Sequence, residues 1–180
     1  MQWPGGHGFC WFREARGGSS NTAALRTMRA IAPRPVMAVL YEGLSGLPAF
    51  NPDDDRDPLP PPASDLRREI GASDAVVFCT PEYAGTLPGS FKNLLDWTVG
   101  GGEMYGKPAA WINVAAPGRG AGAEASLASV LGYVGADVIE EACRRITLSG
   151  QAVGPDGLVN DAGFRAEAAK VLDAIVSAVS

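Results

Sequence analysis

Residues 74–97, DAVVFCTPEYAGTLPGSFKNLLDW, constrain the fold more than any other stretch. They open on an apolar run, Ala75-Val76-Val77-Phe78-Cys79, and turn at Thr80-Pro81-Glu82-Tyr83. A short continuous run rich in Val and Phe predicts a strand buried on both faces, because a half-exposed strand would alternate. Pro88 stands where a helix can begin without losing a needed N–H, and residues 91–97 are amphipathic. The stretch therefore reads as strand, open loop and helix, with polar groups at the strand's carboxyl end. In open α/β sheets that end binds ligands.

The same alternation runs along the chain. Ser19, Ser20 and Asn21 offer N-cap side chains to a helix over about 22–31, which Pro33 and Pro35 end. Residues 36–41 read as a buried strand, and a long loop follows, with an acidic, Pro-rich part at 53–62 read as a solvated excursion. Helices are predicted over about 63–71, 124–134 and 161–179, and a strand over 109–116. Weaker strand signals lie at 137–139 and 146–148. Gly100, Gly101 and Gly102 predict a mobile loop. Residues 1–18 hold no clean strand pattern, yet the alternation requires a strand before the first helix, near residues 8–12. Strands alternating with helices predict a single α/β domain over residues 1–180, with 1–18 atypical. Its sheet is five-stranded, parallel and doubly wound, in the order 2-1-3-4-5, with helices on both faces.

Composition narrows the chemistry. The 180 residues are 46% hydrophobic and 19% charged, enough for a sizeable core. A net charge of -5 argues against nucleic acid as a partner, which needs a basic face. No apolar run approaches the ~20 residues that span a bilayer, and no signal peptide is seen, so the expected setting is cytoplasmic. Cys10, Cys79 and Cys143 lack metal-ligand spacing, and Cys79 reads as a small core residue. The lone histidine, His7, nearly excludes histidine triads and histidine metal clusters. No metal is expected, and enzymatic chemistry would fall to a bound cofactor rather than to catalytic side chains.

Three segments fall at carboxyl ends of strands and meet at the switch beside the first one: residues 16–21, 80–85 and 115–122. Each suits part of a flavin nucleotide. Ser19, Ser20 and Asn21, with backbone N–H groups at a helix start, suit a phosphate, and Arg16 adds a cation. Pro81, Glu82 and Tyr83, continuing into Ala84 and Gly85, suit the edge of a planar ring. Ala116, Gly118 and Arg119 lie on a loop whose glycines let backbone approach a ring or second substrate. Gly118-x-Gly120-x-Gly122 has part of a dinucleotide fingerprint but comes late and lacks the full spacing.

Thr80-Pro81-Glu82-Tyr83, followed by Pro88-Gly89 and by Lys92-Asn93-x-x-Asp96-Trp97, resembles the NADPH-dependent FMN reductase family of flavodoxin-like quinone, azo-dye and chromate reductases. Leu47-Pro48-x-Phe50-Asn51-Pro52 and Gly106-Lys107-Pro108 match that pattern too, and the likeness covers about 19–135 well. It implies noncovalent FMN, NADPH or NADH as co-substrate, ping-pong transfer to a small-molecule electron acceptor such as a quinone or flavin, and a homodimer or homotetramer with flavin near the subunit contact. Lys92, Asn93, Asp96 and Trp97 read as structural, through capping, packing or a subunit contact.

The chain departs from the family at several positions. The first loop of the family reads G-S-x-R-x-x-S-x-N; Arg16, Ser19 and Asn21 match, whereas Arg13 and Glu14 replace the Gly and Ser. Ala84 stands where the family usually has Asn, and Glu124 replaces a basic residue, leaving Arg119 as the candidate for an NADPH phosphate. Two other readings are a flavin-binding electron-transfer or regulatory protein with little turnover, and an interaction domain without FMN.

Overall fold

Every residue of β3 (Ala75–Cys79) is 0% exposed, as its unbroken apolar run requires. In the computed structural model, which describes residues 7–13, 18–34 and 36–180, β3 lies at the centre of a parallel sheet. On one side it pairs with β1 (Gly8–Arg13), which pairs outward with β2 (Met37–Tyr41). On the other it pairs with β4 (Pro108–Asn113), which pairs with β5 (Asp137–Val138). The order β2-β1-β3-β4-β5 is the expected flavodoxin-like one.

A sixth strand, β6 (Arg144–Arg145), pairs with β4 and lies immediately before the strand signal at 146–148. The ladder continues past it without strand geometry: Ile146 N–H donates to Asn113 O at 2.8 Å and Leu148 N–H to Val114 O at 3.2 Å. Ile146 and Leu148 produced the apolar signal because they point inward, while the regular pairing falls on the two arginines.

The strand required near residues 8–12 is β1, and it is aromatic rather than aliphatic. Phe9 and Trp11 face one layer and Cys10 and Phe12 the other, all 1% exposed or less. Phe12 stacks on Phe78 with centroids 5.4 Å apart and meets Tyr41 at 5.3 Å, which fills the space beside β3.

Helices α1 (Ser20–Ile31) and α5 (Ala162–Val179) cover one face. The other is covered by α2 (Pro61–Ala72), α3 (Gly89–Asp96) and α4 (Ala121–Tyr133). Starts follow local chemistry. The Ser19 hydroxyl accepts from Thr22 N–H at 3.2 Å, and the Asp161 carboxylate from Phe164 N–H at 2.6 Å. α2 begins two residues before the expected point because proline is tolerated in a first turn. No helix of the described residues is long and apolar enough to cross a membrane.

The 53–62 loop is only partly solvated. Asp55 accepts from Arg67 at 2.6 Å, and Arg67 Nε donates to Trp97 O at 2.8 Å in a buried setting. Asp53, Asp54, Arg56 and Asp57 are exposed as expected.

Candidate functional site

Parallel strands end together, so the loops after β1, β3 and β4 open onto one edge of the sheet. There they enclose a cleft of about 670 Å³, within the size range of small-molecule sites. The cleft gathers Ser19, Ser20 and Asn21 from the first loop, Pro81, Glu82 and Tyr83 from the second, and Ala116 and Arg119 from the third. Ala84, Gly85 and Gly118 are exposed beside it and do not line it. Arg16 and Glu14 lie outside the described residues. Arg13 closes β1 opposite Cys79.

At the first wall, α1 begins with a neutral cap, Ser19, and has no acidic residue in its first turn. Asn21 is buried there and its Oδ1 accepts from Cys79 Sγ at 3.2 Å. Complete burial pushes the Cys79 thiol up, so it stays a neutral donor and fixes the Asn21 amide beside the cleft.

The second wall is a tight turn. Tyr83 N–H donates to Thr86 O at 2.9 Å and Thr86 N–H to Tyr83 O at 3.1 Å. Between them Ala84 (φ 50°) and Gly85 (φ 78°) both have positive φ, the signature of a type I′ turn. Asn-Gly is the preferred pair for such a turn, which gives a backbone reason for the Asn that Ala84 replaces. The Glu82 carboxylate is turned to α4: Oε2 accepts from Gly122 N–H at 2.6 Å and Ala123 N–H at 3.3 Å. A Cβ on Gly122 would overlap the Gly85 carbonyl oxygen, and the Thr86 and Ser126 hydroxyls are 2.7 Å apart. The turn and the start of α4 are thus held at three points, and Gly122 permits the close approach between them.

The third wall depends on Asn113, a polar residue at the end of an apolar strand that the sequence reading left inside the strand. Its Oδ1 accepts from Ala115 N–H at 2.8 Å and its Nδ2 donates to Glu124 at 2.6 Å. Gly120, in the left-handed region at φ 86°, packs so closely on this amide that no Cβ would fit. Glu124 is gripped by two guanidinium nitrogens of Arg145, with Nε at 2.8 Å. Leu148 joins the wall through its ladder with Val114, a non-local pairing without a motif to announce it. Among the described residues no cluster could hold a metal ion.

Lys92 pairs with Asp96 on the surface of α3. Asn93 and Trp97 clamp the loop of residues 44–52. Asn93 Oδ1 accepts from Phe50 N–H at 2.7 Å, and Asn93 Nδ2 and Trp97 Nε1 each donate to Pro48 O at 2.9 Å. Phe50 and Trp97 meet edge to face at 5.1 Å.

Comparison with known proteins agrees with this geometry. The family described as NADPH-dependent FMN reductase matches residues 14–146. An NAD(P)H-dependent FMN reductase of Pseudomonas aeruginosa is 38% identical over 103 residues, 56% of this chain and 55% of that protein. A quinone reductase of Pseudomonas putida is 34% identical over 99 residues, 53% of each. The chain thus spans about half the length of the curated relatives it matches. Among solved structures, FerB of Paracoccus denitrificans, a flavoenzyme NAD(P)H:(acceptor) oxidoreductase, superposes with a TM-score of 0.79 at 27% identity, over 95% of this chain and 98% of its own. With the motifs of the 74–97 stretch, the sheet order and the family match in agreement, the chain belongs to the NADPH-dependent FMN reductase family.

Proposed function

We propose that the protein is an FMN-dependent NAD(P)H oxidoreductase that passes electrons from NADPH or NADH, through noncovalently bound FMN, to a quinone, a flavin or a similar small acceptor. The observation that carries this reading is the convergence of three loops on one cleft in a chain of this family. The residues fit the cofactor. The start of α1, with Ser19, Ser20 and Asn21, offers donors and the positive helix end to a phosphate, and Arg16, three residues before Ser19 in the sequence, is the cation the family resemblance assigns to it. The backbone of Pro81, Glu82 and Tyr83 and of Ala116 and Arg119, which line the cleft, offers polar edges to a planar ring, with Ala84, Gly85 and Gly118 beside it. When bound, FMN supplies hydride acceptance and electron release.

The chain's own residues then hold, orient and shield. Asn21 is pre-set by Cys79, so little order is lost on binding. Asn113 keeps the 115–120 loop open through its bond to Ala115. Tyr83, 46% exposed at the rim, covers part of the opening. Donor and acceptor enter this same cleft in turn, the ping-pong order that the family resemblance implies.

The same proposal covers setting and assembly. Three free thiols suit a reducing compartment, hence the cytoplasm. The 125–136 segment of α4 and its end carries no charge, and Tyr105 and Tyr133 stand 82% and 93% exposed near it. That uncharged face supports a homodimer or homotetramer of single-domain chains.

The test is FMN titration of the apo-protein followed by flavin fluorescence, then NADPH and NADH oxidation with a quinone. Saturable binding and parallel double-reciprocal lines are expected. A folded protein that leaves FMN free at high micromolar concentration defeats the reading. Light scattering checks the assembly.

A further inference from the structure

We infer that Glu82 gives the cleft its polarity: its carboxylate seals the start of α4 against anions, so the two helix starts that face the cleft are not equivalent. Naming FMN as the occupant rests on the proposed function; the charge argument does not.

A helix start attracts anions through free first-turn N–H groups and the positive end of the dipole, equivalent to roughly half an elementary charge. At α1 the cap is the neutral Ser19, and the first turn has no acid. At α4 the cap is Gly120, which has no side chain to offer. The N–H groups of Gly122 and Ala123 are met instead by Glu82, from 40 and 41 residues away. A full negative charge there more than cancels the helix end. Glu124 in the same first turn adds a second carboxylate, balanced by Arg145. A phosphate approaching the first-turn N–H groups of α4 would have to displace Glu82, whereas Glu124 is already paired with Arg145 and Arg119 lines the cleft ahead of the Gly120 cap.

Glu82 is thus a positioning and specificity-determining residue. It holds the 81–85 turn against α4 through the Gly122 and Ala123 N–H groups, while Pro81, Glu82 and Tyr83 of that turn line the cleft. An anionic group is directed to α1, and an uncharged polar edge faces the second wall.

The test follows backbone amide resonances of isotopically labelled apo-protein while inorganic phosphate is added, in wild type, Glu82→Ala and Glu82→Gln. In the wild type the Gly122 and Ala123 amides should not move. In Glu82→Ala they should shift and saturate, because two donors and an uncompensated helix end become available. Glu82→Gln keeps an acceptor but drops the charge, and should give a smaller shift of the same sign; it decides the matter if the alanine variant does not fold. Shifts at Gly122 and Ala123 in the wild type, or none in a folded variant, overturn the inference. The amides of residues 20–22 report separately: if they ignore phosphate in every form, the proposed phosphate site fails while the role of Glu82 stands.

Discussion

Ala84 is the residue at which the backbone demands most from a side chain. A non-glycine residue in the left-handed region crowds its Cβ against the neighbouring carbonyl, at roughly 1–2 kcal/mol for an ordinary residue. Asn tolerates that region far better because its short amide bonds locally. Ala84→Asn should therefore stabilise the protein by about 0.5–1 kcal/mol in urea unfolding, with no change in the Tyr83–Thr86 pairing. An unchanged or lower midpoint would show that the turn does not need the left-handed form in solution. Gly122 makes the opposite demand. A methyl group there meets the Gly85 carbonyl, which is backbone and cannot swing aside. Gly122→Ala should cost about 1–3 kcal/mol, as overpacking does. It should also weaken FMN binding in a fluorescence titration, because the turn is pushed off α4. Full affinity in the variant would mean that the second wall does not need this contact.

At the scale of elements, the clamp between α3 and the 44–52 loop is what makes two separated motifs one. Asn93 makes two hydrogen bonds to that loop and Trp97 one, and the acceptors and donor they serve are backbone groups. Asn93→Ala removes the partner of Phe50 N–H, at about 1–3 kcal/mol, while the Pro48 carbonyl still accepts from Trp97 Nε1. Trp97→Phe removes one bond but keeps the edge contact with Phe50. Native-state hydrogen exchange should show Phe50 N–H losing protection in Asn93→Ala while β3 keeps its own; protection equal to wild type would remove the clamp from this account. Both motifs were legible in the sequence, but their contact was not, because it joins residues 43 to 49 apart through side chain to backbone bonds that leave no periodicity. The same reason hid Leu148 from the site. Strand β3 was legible from its unbroken apolar run, and helices α1 and α5 because one hydrophobic period and one capping side chain set each. Strand β1 was inferred only from the alternation, since Phe9, Trp11 and Phe12 carry an unusual pattern for a buried strand. Asn113 carried a signal that passed unread: a single amide closing an apolar run has to find partners, and here it organises the third wall.

Across the whole molecule, the sheet divides two apolar layers, and ionisable groups sealed in them tie stability to pH. Burial first, then the charge of Glu69, pushes the Cys10 thiol from 9.0 to about 12. Burial first, then Cys10, pushes the Tyr41 phenol from 10.0 to about 12. Burial alone pushes Cys79 up. For each, the folded state holds the neutral acid more tightly than the unfolded chain does. That stability is complete while both states are protonated, below about pH 9. It is lost as pH rises toward 12, where the unfolded chain releases protons that the folded one keeps. Lys107 opposes this: burial lowers its pKa, so its cost is present at neutral pH and is relieved as the amine deprotonates. One amine faces Cys10, Cys79 and Tyr41, so the net slope is downward, with each group inside its window contributing about 1.4 kcal/mol per pH unit. Urea midpoints should stay level up to about pH 8.5 and fall between about pH 9 and about pH 11, reversibly and under reducing conditions. Cys10→Val, close in volume and unable to ionise, should make that fall shallower while nearly preserving the midpoint at neutral pH. A wild-type midpoint that stays level to about pH 11, or a Cys10→Val protein that falls as steeply, would show that these acids titrate in the folded state as they do in water.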